Sequence, residues 1–177
     1  MAKEIYNKII ELLFDRPSYR FHLREIARLA RVHPNSAKAA LFRLRKEGIA
    51  RIEDKKHLTE ISADLDNKKF ARKKREFNFM SIYDSGIVEH LAELFDPESI
   101  SVIGSYSRGE DIESSDIDIV VVKPLKNSGK PAQAERFEDK LKRKIHITMA
   151  NYKEMSDEFY INLINGMLLQ GHLGKKQ

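Results

Sequence analysis

One short stretch of this 177-residue chain restricts its fold more than any other. It consists of an apolar run, a Gly-Ser pair, ten further residues and an Asp-x-Asp that opens a second apolar run. The first run predicts a strand at 99–103, and Gly104-Ser105 follows where that strand gives way to a helical turn. Asp116 and Asp118 begin the second strand. Because side chains two apart on a strand lie on the same face, we expect these carboxylates to project together.

The residue types in this stretch suit phosphate and metal chemistry. Two neighbouring carboxylates repel unless a proton or cation lies between them, and a hard divalent ion such as Mg²⁺ relieves the repulsion. Glycine lets a phosphate approach the backbone, and the hydroxyl of Ser105 can donate to a phosphate oxygen. A phosphate cradle beside a metal-binding pair is what nucleotidyl transfer needs. Each piece alone is common, so the prediction depends on their combination and spacing.

The string GSYSRGE, followed by SDIDIVVV, resembles the minimal nucleotidyltransferases of the DNA polymerase beta superfamily. The resemblance is close over about 100–122 and looser over the flanking elements. It implies a small mixed sheet backed by helices, with an NTP as substrate or ligand and Mg²⁺ or Mn²⁺ as cofactor. It implies catalytic and metal-binding roles for Asp116 and Asp118. The triphosphate would lie at the glycine-rich turn, which comprises Gly104, Ser105, Arg108 and Gly109.

The chain departs from that family in one respect. Active members usually supply a third carboxylate from the following strand, which is predicted here at 144–149. Its residue facing the site is His146, and this strand contains no Asp or Glu. The nearby carboxylates lie instead on a predicted helix at 132–143, where we expect them to face solvent: Glu135, Glu138 and Asp139.

Two hypotheses about function therefore stay open. The first is an enzyme that transfers NMP from an NTP to an acceptor hydroxyl. Because related minimal nucleotidyltransferases resemble the antitoxin halves of toxin–antitoxin pairs, adenylylation of a toxin is a specific version of it. The second is a non-catalytic transcriptional regulator or antitoxin, whose nucleotidyltransferase fold only binds a nucleotide or a partner protein. The two aspartates favour the first hypothesis, and the missing third carboxylate favours the second.

The charge of the chain is unevenly distributed. Residues 1–79 contain 20 Lys and Arg against 11 Asp and Glu, a net charge of +9. Residues 80–177 contain 12 against 16, a net charge of −4. A basic part attracts nucleic acid, whereas an acidic part can bind divalent metal. A highly charged solvated surface would give the same counts, so the charge alone does not decide between them.

The basic part has the pattern of three helices followed by a hairpin. The helices are predicted at 3–15, 21–29 and 34–47, and the strands at 49–52 and 57–61 with a polar turn at 53–56. Their order over 22–62 resembles a winged helix-turn-helix. The fold class predicted for the whole chain is therefore α+β. The predicted organisation is a winged helix at 1–63, a basic linker helix at 64–80 and a minimal nucleotidyltransferase domain at 81–177.

The resemblance to a winged helix implies a duplex DNA partner. A helix fits the major groove and reads base edges from its N-terminal turns, while cations further along contact phosphate. The candidate DNA-binding residues lie on the third helix and at the tip of the hairpin: Asn35, Ser36, Lys38, Arg43, Lys55 and Lys56. Winged helices also serve as protein-binding modules, in which such cations are ordinary surface. The basic run at 64–79 could likewise contact DNA phosphates or form a solvated connecting helix, and the connecting helix is favoured.

Composition excludes several classes of protein. The chain contains no Cys, which excludes a disulfide scaffold, a Cys-ligated zinc site and thiolate catalysis. No apolar run approaches the roughly 18 residues that a membrane helix needs, and the opening residues do not have the pattern of a signal peptide. We therefore expect a cytoplasmic protein without a membrane partner. The sequence leaves the oligomeric state open, a homodimer included.

Overall fold

The computed structural model describes residues 2–55, 58–123 and 134–175, and the chain divides into two units, 1–74 and 75–177. The first unit contains α1 (Ala2–Asp15), β1 (Phe21–His22), α2 (Leu23–Leu29), α3 (Pro34–Lys46), β2 (Ala50–Lys55) and β3 (Leu58–Ala63). The boundary between the units falls within α4 (Lys68–Ser85). The second unit continues with α5 (Ile87–Phe95), β4 (Ser99–Ile103), α6 (Gly104–Arg108), β5 (Ile117–Val122), α7 (Glu135–Leu141), β6 (Ile145–Ala150), α8 (Asp157–Ile164) and β7 (Met167–Gly171).

The first unit packs three helices against a small antiparallel sheet with strand order β1-β3-β2. The apolar side of α1 is buried as its periodicity predicts. The third helix, α3, begins after His33, whose Nδ1 accepts a hydrogen bond from the backbone N–H of Asn35, and Pro34 fills the first helical position. Gly48 follows the helix with a φ of +73°, a conformation that glycine adopts without strain.

The second helix starts later than its sequence pattern predicts. Phe21 and His22 form β1, which pairs with β3 so that Phe21 lies opposite Ile61 and is fully buried. His22 then caps α2, and the side chain of Glu25 reaches back to accept its backbone N–H. The predicted helix at 21–29 was thus wrong at its start, because a pairing with a strand forty residues away determines the conformation of these two residues.

The hairpin strands are longer than predicted. Glu53 and Asp54 belong to β2 rather than to a turn, and the Asp54 carboxylate accepts a 2.8 Å hydrogen bond from the hydroxyl of Thr59 on β3. Lys56 of the predicted turn and His57, the first residue of the predicted second strand, lie outside the described residues. The apolar pattern over 82–95 predicts a single helix, and this prediction is wrong. There, α4 runs through Ser85, and Gly86 with a φ of +83° separates it from α5.

The second unit is built on a four-stranded sheet of order β6-β5-β4-β7. The pair β5–β6 is parallel, whereas β4 is antiparallel to both β5 and β7, so the expected mixed sheet is confirmed. Alternate residues of β5 face a core formed with the C-terminal part of α4, α5 and α7: Ile117, Ile119 and Val121. Val120 and Val122 face a second cluster that contains Leu163 of α8.

Among the described residues, the second face of the sheet is covered at one end of β5 and exposed at the other. Val120 and Val122 are buried there, whereas Asp118 on the same face is exposed. Because side chains alternate along a strand, this face presents the carboxylate of Asp118 to solvent at the start of β5 while its other end is packed. In the part of the chain that the structure describes, this end of the sheet is thus open beside the Gly-Ser turn.

The sequence pattern predicts a helix at 152–165 with Phe159, Ile161 and either Leu163 or Ile164 in the core. The helix is shorter in the structure, because α8 starts only after Ser156, whose hydroxyl accepts the backbone N–H of Phe159. Leu163 is buried as predicted, but Ile161 and Ile164 are about half exposed, since only one side of α8 faces the sheet. None of the helices in the described ranges has the length and apolar character needed to cross a membrane.

Candidate functional site

The turn between β4 and β5 begins with a glycine that the backbone requires. Gly104 has a φ of +74°, a region that side chains other than glycine rarely occupy, and it starts the five-residue helix α6. The hydroxyl of Ser107 donates to the carbonyl of Gly104 at 2.8 Å. Gly109, with a φ of +72°, ends the helix. Gly104 and Ser105 are therefore the first residues of a short helix, and the hydroxyl of Ser107 in the same helix holds its start in place.

The carboxylate of Asp118 lies directly beside Gly104. In the antiparallel register of β4 and β5, Asp118 is opposite Ile103, the last residue before the glycine. A Cβ at position 104 would lie 3.1 Å from Oδ2 of Asp118, closer than most contacts of real Cβ atoms. The absence of a side chain at Gly104 therefore keeps open the space in front of this carboxylate.

The other side of Asp118 is occupied by β6, on which His146 lies opposite it in the parallel register. Nε2 of His146 is 3.1 Å from Oδ2 of Asp116, which immediately precedes β5. The side chains of both residues are exposed to solvent, at 63% and 45% respectively. The structure thus brings Gly104, Asp116, Asp118 and His146 to the same end of the sheet, with the two aspartates between the glycine and the histidine.

A buried hydrogen-bond network that sequence reasoning missed holds this turn in place. The side-chain amide of Asn78 on α4 donates to the carbonyl of Tyr106 at 2.9 Å and to Oδ1 of Asp111 at 2.8 Å. Asn78 and Asp111 are each only 2% exposed. Buried polar groups need such partners, so the network fastens α6 and the loop before Asp116 to α4. The available signal was an Asn four residues before Ile82, on the buried side of a helix.

Arg108, predicted to bind phosphate, forms an ion pair with a neighbour. Its Nε is 2.7 Å from Oε2 of Glu110, and both side chains are more than half exposed. An exposed pair of this kind contributes at most about 1 kcal/mol, because water screens both charges.

The carboxylates of α7 do not all face solvent as expected. Glu138 accepts hydrogen bonds from Nζ of Lys144 at 2.8 Å and from the backbone N–H of Ile145 at 3.0 Å. Its side chain is only 17% exposed, and these donors lower the pKa of Glu138, the lysine contributing most. The same contact raises the pKa of Lys144. Glu138 thus anchors the start of β6 next to His146, whereas Glu135 and Asp139 are exposed.

The described residues offer two carboxylates, and not a complete cage, to a metal ion. Over 2–55, 58–123 and 134–175, no group of three or more His, Asp or Glu side chains could hold a metal. Mg²⁺ is usually bound through one or two carboxylates together with substrate phosphates and water. The exposed oxygens of Asp116 and Asp118, beside the open space at Gly104, fit that type of site.

The candidate DNA-binding residues of α3 are presented in different ways. Asn35 and Lys38 are exposed, and Ser36 is half-buried. Arg43 is held against α1, since its guanidinium lies 4.5 Å from the centre of the Tyr6 ring and its Nε donates to Glu47 at 2.8 Å. The tip residue Lys55 is the last residue of β2, and Lys56 lies outside the described residues.

The hydroxyl of Tyr6 also donates to Glu47, which joins α1 to the end of α3. Burial and this hydrogen bond raise the pKa of Tyr6 to about 12. Tyr6 therefore stays neutral and keeps donating throughout the physiological pH range.

Comparison with known proteins bears on the second unit. Residues 85–168 match the family model described as Nucleotidyltransferase domain. The match contains the Gly-Ser turn, both aspartates and His146. It supports a nucleotidyltransferase fold for this part of the chain. No match was found among curated proteins or among solved structures.

We predict that Gly104→Ala weakens binding of Mg²⁺ and ATP, because its Cβ displaces the Asp118 carboxylate. Gly86→Ala is the matched control, since Gly86 has a similar φ of +83° but nothing within 4 Å of a Cβ. Both changes place Ala in the left-handed region, so each destabilises the protein by roughly 1–2 kcal/mol. Melting temperatures measured with and without Mg·ATP should show a smaller ligand-induced rise for Gly104→Ala alone. A full rise in that variant would contradict the role given to this contact.

Proposed function

We propose that this chain is a DNA-binding regulator with a nucleotidyltransferase domain. Its second unit transfers NMP from an NTP to an acceptor hydroxyl, and its first unit is a winged helix-turn-helix that binds duplex DNA. The observation that carries the enzymatic part is the carboxylate of Asp118 beside the side-chain-free Gly104, with Asp116 at the same end of the sheet. The family match over 85–168 supports it.

The residues fit a divalent cation, and Asp116 and Asp118 would hold Mg²⁺ or Mn²⁺. When bound, the cation neutralises charge on the phosphates and makes the acceptor hydroxyl easier to deprotonate. The open space at Gly104 admits a phosphate close to the backbone, and the hydroxyl of Ser105 is available to donate to it. These residues bind and orient the NTP.

We place the two reactants on opposite sides of Asp118, in keeping with the order of the strands. Gly104 follows β4 on one side of Asp118, and His146 lies on β6 on the other side. With the triphosphate at Gly104, the acceptor approaches from the β6 side. Its hydroxyl oxygen forms a bond to the α-phosphorus, the bond from that phosphorus to the bridging oxygen breaks, and pyrophosphate leaves. The proton of the hydroxyl passes to a base or to water.

The alternative is a regulator or antitoxin in which this fold binds a nucleotide or a partner protein without turnover. The observation that favours it is the residue on β6. His146 lies opposite Asp118, where active members of the superfamily usually supply a carboxylate, and β6 contains no Asp or Glu. Nucleotide binding needs only the two aspartates and the turn, so it survives under both hypotheses.

We predict that the purified full-length chain transfers label from α-³²P-NTP, but not from γ-³²P-NTP, to an acceptor. The NMP carries the α-phosphorus, and pyrophosphate carries the γ-phosphorus away. The assay uses all four NTPs with Mg²⁺ or Mn²⁺, and a panel of protein acceptors as well as RNA. Asp116→Asn should abolish the labelling, whereas Asp157→Asn, an exposed carboxylate at the start of α8, should not.

Nucleotide-stabilised protein that labels no acceptor would favour the binding-only alternative. Labelling that Asp116→Asn leaves intact would contradict the proposed site.

The DNA-binding part is supported by the first unit. Its three helices and hairpin follow the order typical of a winged helix, and α3 presents Asn35 and Lys38 to solvent. The exposed cations Arg45 and Lys46 lie further along the same helix. The net charge of +9 over residues 1–79 attracts a polyanion. A protein-binding winged helix would need none of this charge.

We predict that the full chain binds duplex DNA with a strong salt dependence. Each phosphate contact releases about 0.9 counterion, so about six contacts give a slope near −5 in a plot of log K against log salt. Lys55→Ala combined with Lys56→Ala should weaken binding to every sequence, whereas Lys38→Ala should alter sequence preference. Lys8→Ala, on α1 and paired with Glu4, is the control. Failure to bind any duplex at low salt would favour a protein partner.

A further inference from the structure

The exposed side of α3 carries a large apolar side chain that neither proposed activity uses. Phe42 is 56% exposed, although it belongs to a helix whose other face supplies the core of the unit. Counted from Asn35, Lys38 lies three residues further along the helix, Ala39 four and Phe42 seven. Side chains with this spacing lie along one side of a helix, and by this pattern a helix in the major groove reaches successive bases.

Phe42 also forms one wall of a groove of about 530 Å³ between α3 and the hairpin. Leu23, Ile52 and Ile61 contribute apolar side chains to its lining, and Lys38, Arg45 and Asp54 contribute charged ones. The amino group of Lys46 lies 4.6 Å from the centre of the Phe42 ring. The ring therefore lines the groove while more than half of its surface stays exposed to solvent.

We propose that this side of α3 recognises A·T pairs, with Phe42 contacting the 5-methyl group of thymine in the major groove. The proposal rests on the proposed DNA-binding function and adds its base preference. Thymine is the base with an apolar group on its major-groove edge, and Phe is one of the residues suited to contact it. Ala39, one turn before Phe42, presents a second small apolar surface. Asn35 is the residue type that pairs with the major-groove edge of adenine.

The charges around Phe42 favour duplex DNA as the occupant over an apolar protein segment. Lys38 and Arg45 line the groove and Lys46 lies over the ring, so three cations outweigh the one carboxylate of the lining, Asp54. A duplex places phosphates near these cations and thymine methyl groups near the ring in one binding mode. An apolar peptide would cover the ring and leave the cations without counter-charges.

The test removes the methyl group from the DNA instead of the side chain from the protein. A duplex is first selected from a random pool by the full-length chain. Each thymine of the selected site is then replaced by deoxyuracil, which lacks only the 5-methyl group. Burying one methyl contributes enough that its loss should weaken binding about fourfold at the contacted thymine. Substitution at thymines elsewhere in the duplex should have no effect.

Phe42→Ala should weaken binding to the thymine duplex and abolish the sensitivity to deoxyuracil at that position. Phe42→Leu, which keeps an apolar side chain, should retain part of the sensitivity. Leu65→Ala removes another half-exposed apolar side chain of the first unit and should leave the sensitivity to deoxyuracil unchanged. Because Phe42 is largely exposed, the melting temperatures of these variants should stay close to that of the wild type.

The outcomes separate this proposal from the function on which it rests. If the wild-type chain selects no duplex, the DNA-binding function fails and the proposal fails with it. If the chain selects a site without A·T pairs, or binds the thymine and deoxyuracil duplexes equally, DNA binding stands and the thymine contact is overturned. The same conclusion follows if Phe42→Ala is as sensitive to deoxyuracil as the wild type.

Discussion

The antiparallel pairing of β4 with β5 is the constraint on which the candidate site depends. It sets Asp118 opposite Ile103, so that the carboxylate of one strand lies beside the glycine that ends the other. A side chain at position 104 would meet this carboxylate at 3.1 Å, and the φ of +74° favours glycine independently. The two requirements coincide at one residue. The parallel register of β6 then places His146 opposite Asp118. The side-chain amide of Asn78 holds the turn by donating to the carbonyl of Tyr106.

The parts of this arrangement that local pattern specifies could be predicted from the sequence. The strand at 99–103, the turn after it and the register of His146 all follow from apolar alternation and the spacing of Gly and Asp. The local pattern predicts a helix for Phe21 and His22, because the strand with which they pair lies about forty residues along the chain. The sequence does not predict the role of Asn78, since its partners are a carbonyl and a carboxylate from residues about thirty positions away. Glu138, which was expected to face solvent, instead holds the start of β6, because Lys144 and Ile145 lie only six and seven residues after it and donate to its carboxylate.

The two units present surfaces of different chemistry. In the first, α3 combines exposed cations with the apolar ring of Phe42, which suits a ligand that offers both phosphate and methyl groups. In the second, exposed carboxylates lie beside a glycine, which suits a phosphate neutralised by a cation. The site of the second unit also has the imidazole of His146 at the position where active members of the superfamily that this sequence resembles usually have a third carboxylate. The account therefore depends on whether Asp116 and Asp118 alone suffice to hold the cation.

The position of a bound cation tests that claim most directly. With Fe²⁺ substituted for Mg²⁺ in the presence of ATP, ascorbate and peroxide generate hydroxyl radicals that cut the backbone next to the metal, and mass spectrometry locates the cuts. The account predicts cuts around Gly104-Ser105 and Asp116–Asp118 that excess Mg²⁺ suppresses and that Asp116→Asn with Asp118→Asn abolishes. Cuts confined to the neighbouring carboxylates of α7, or cuts unchanged in the double variant, would contradict it.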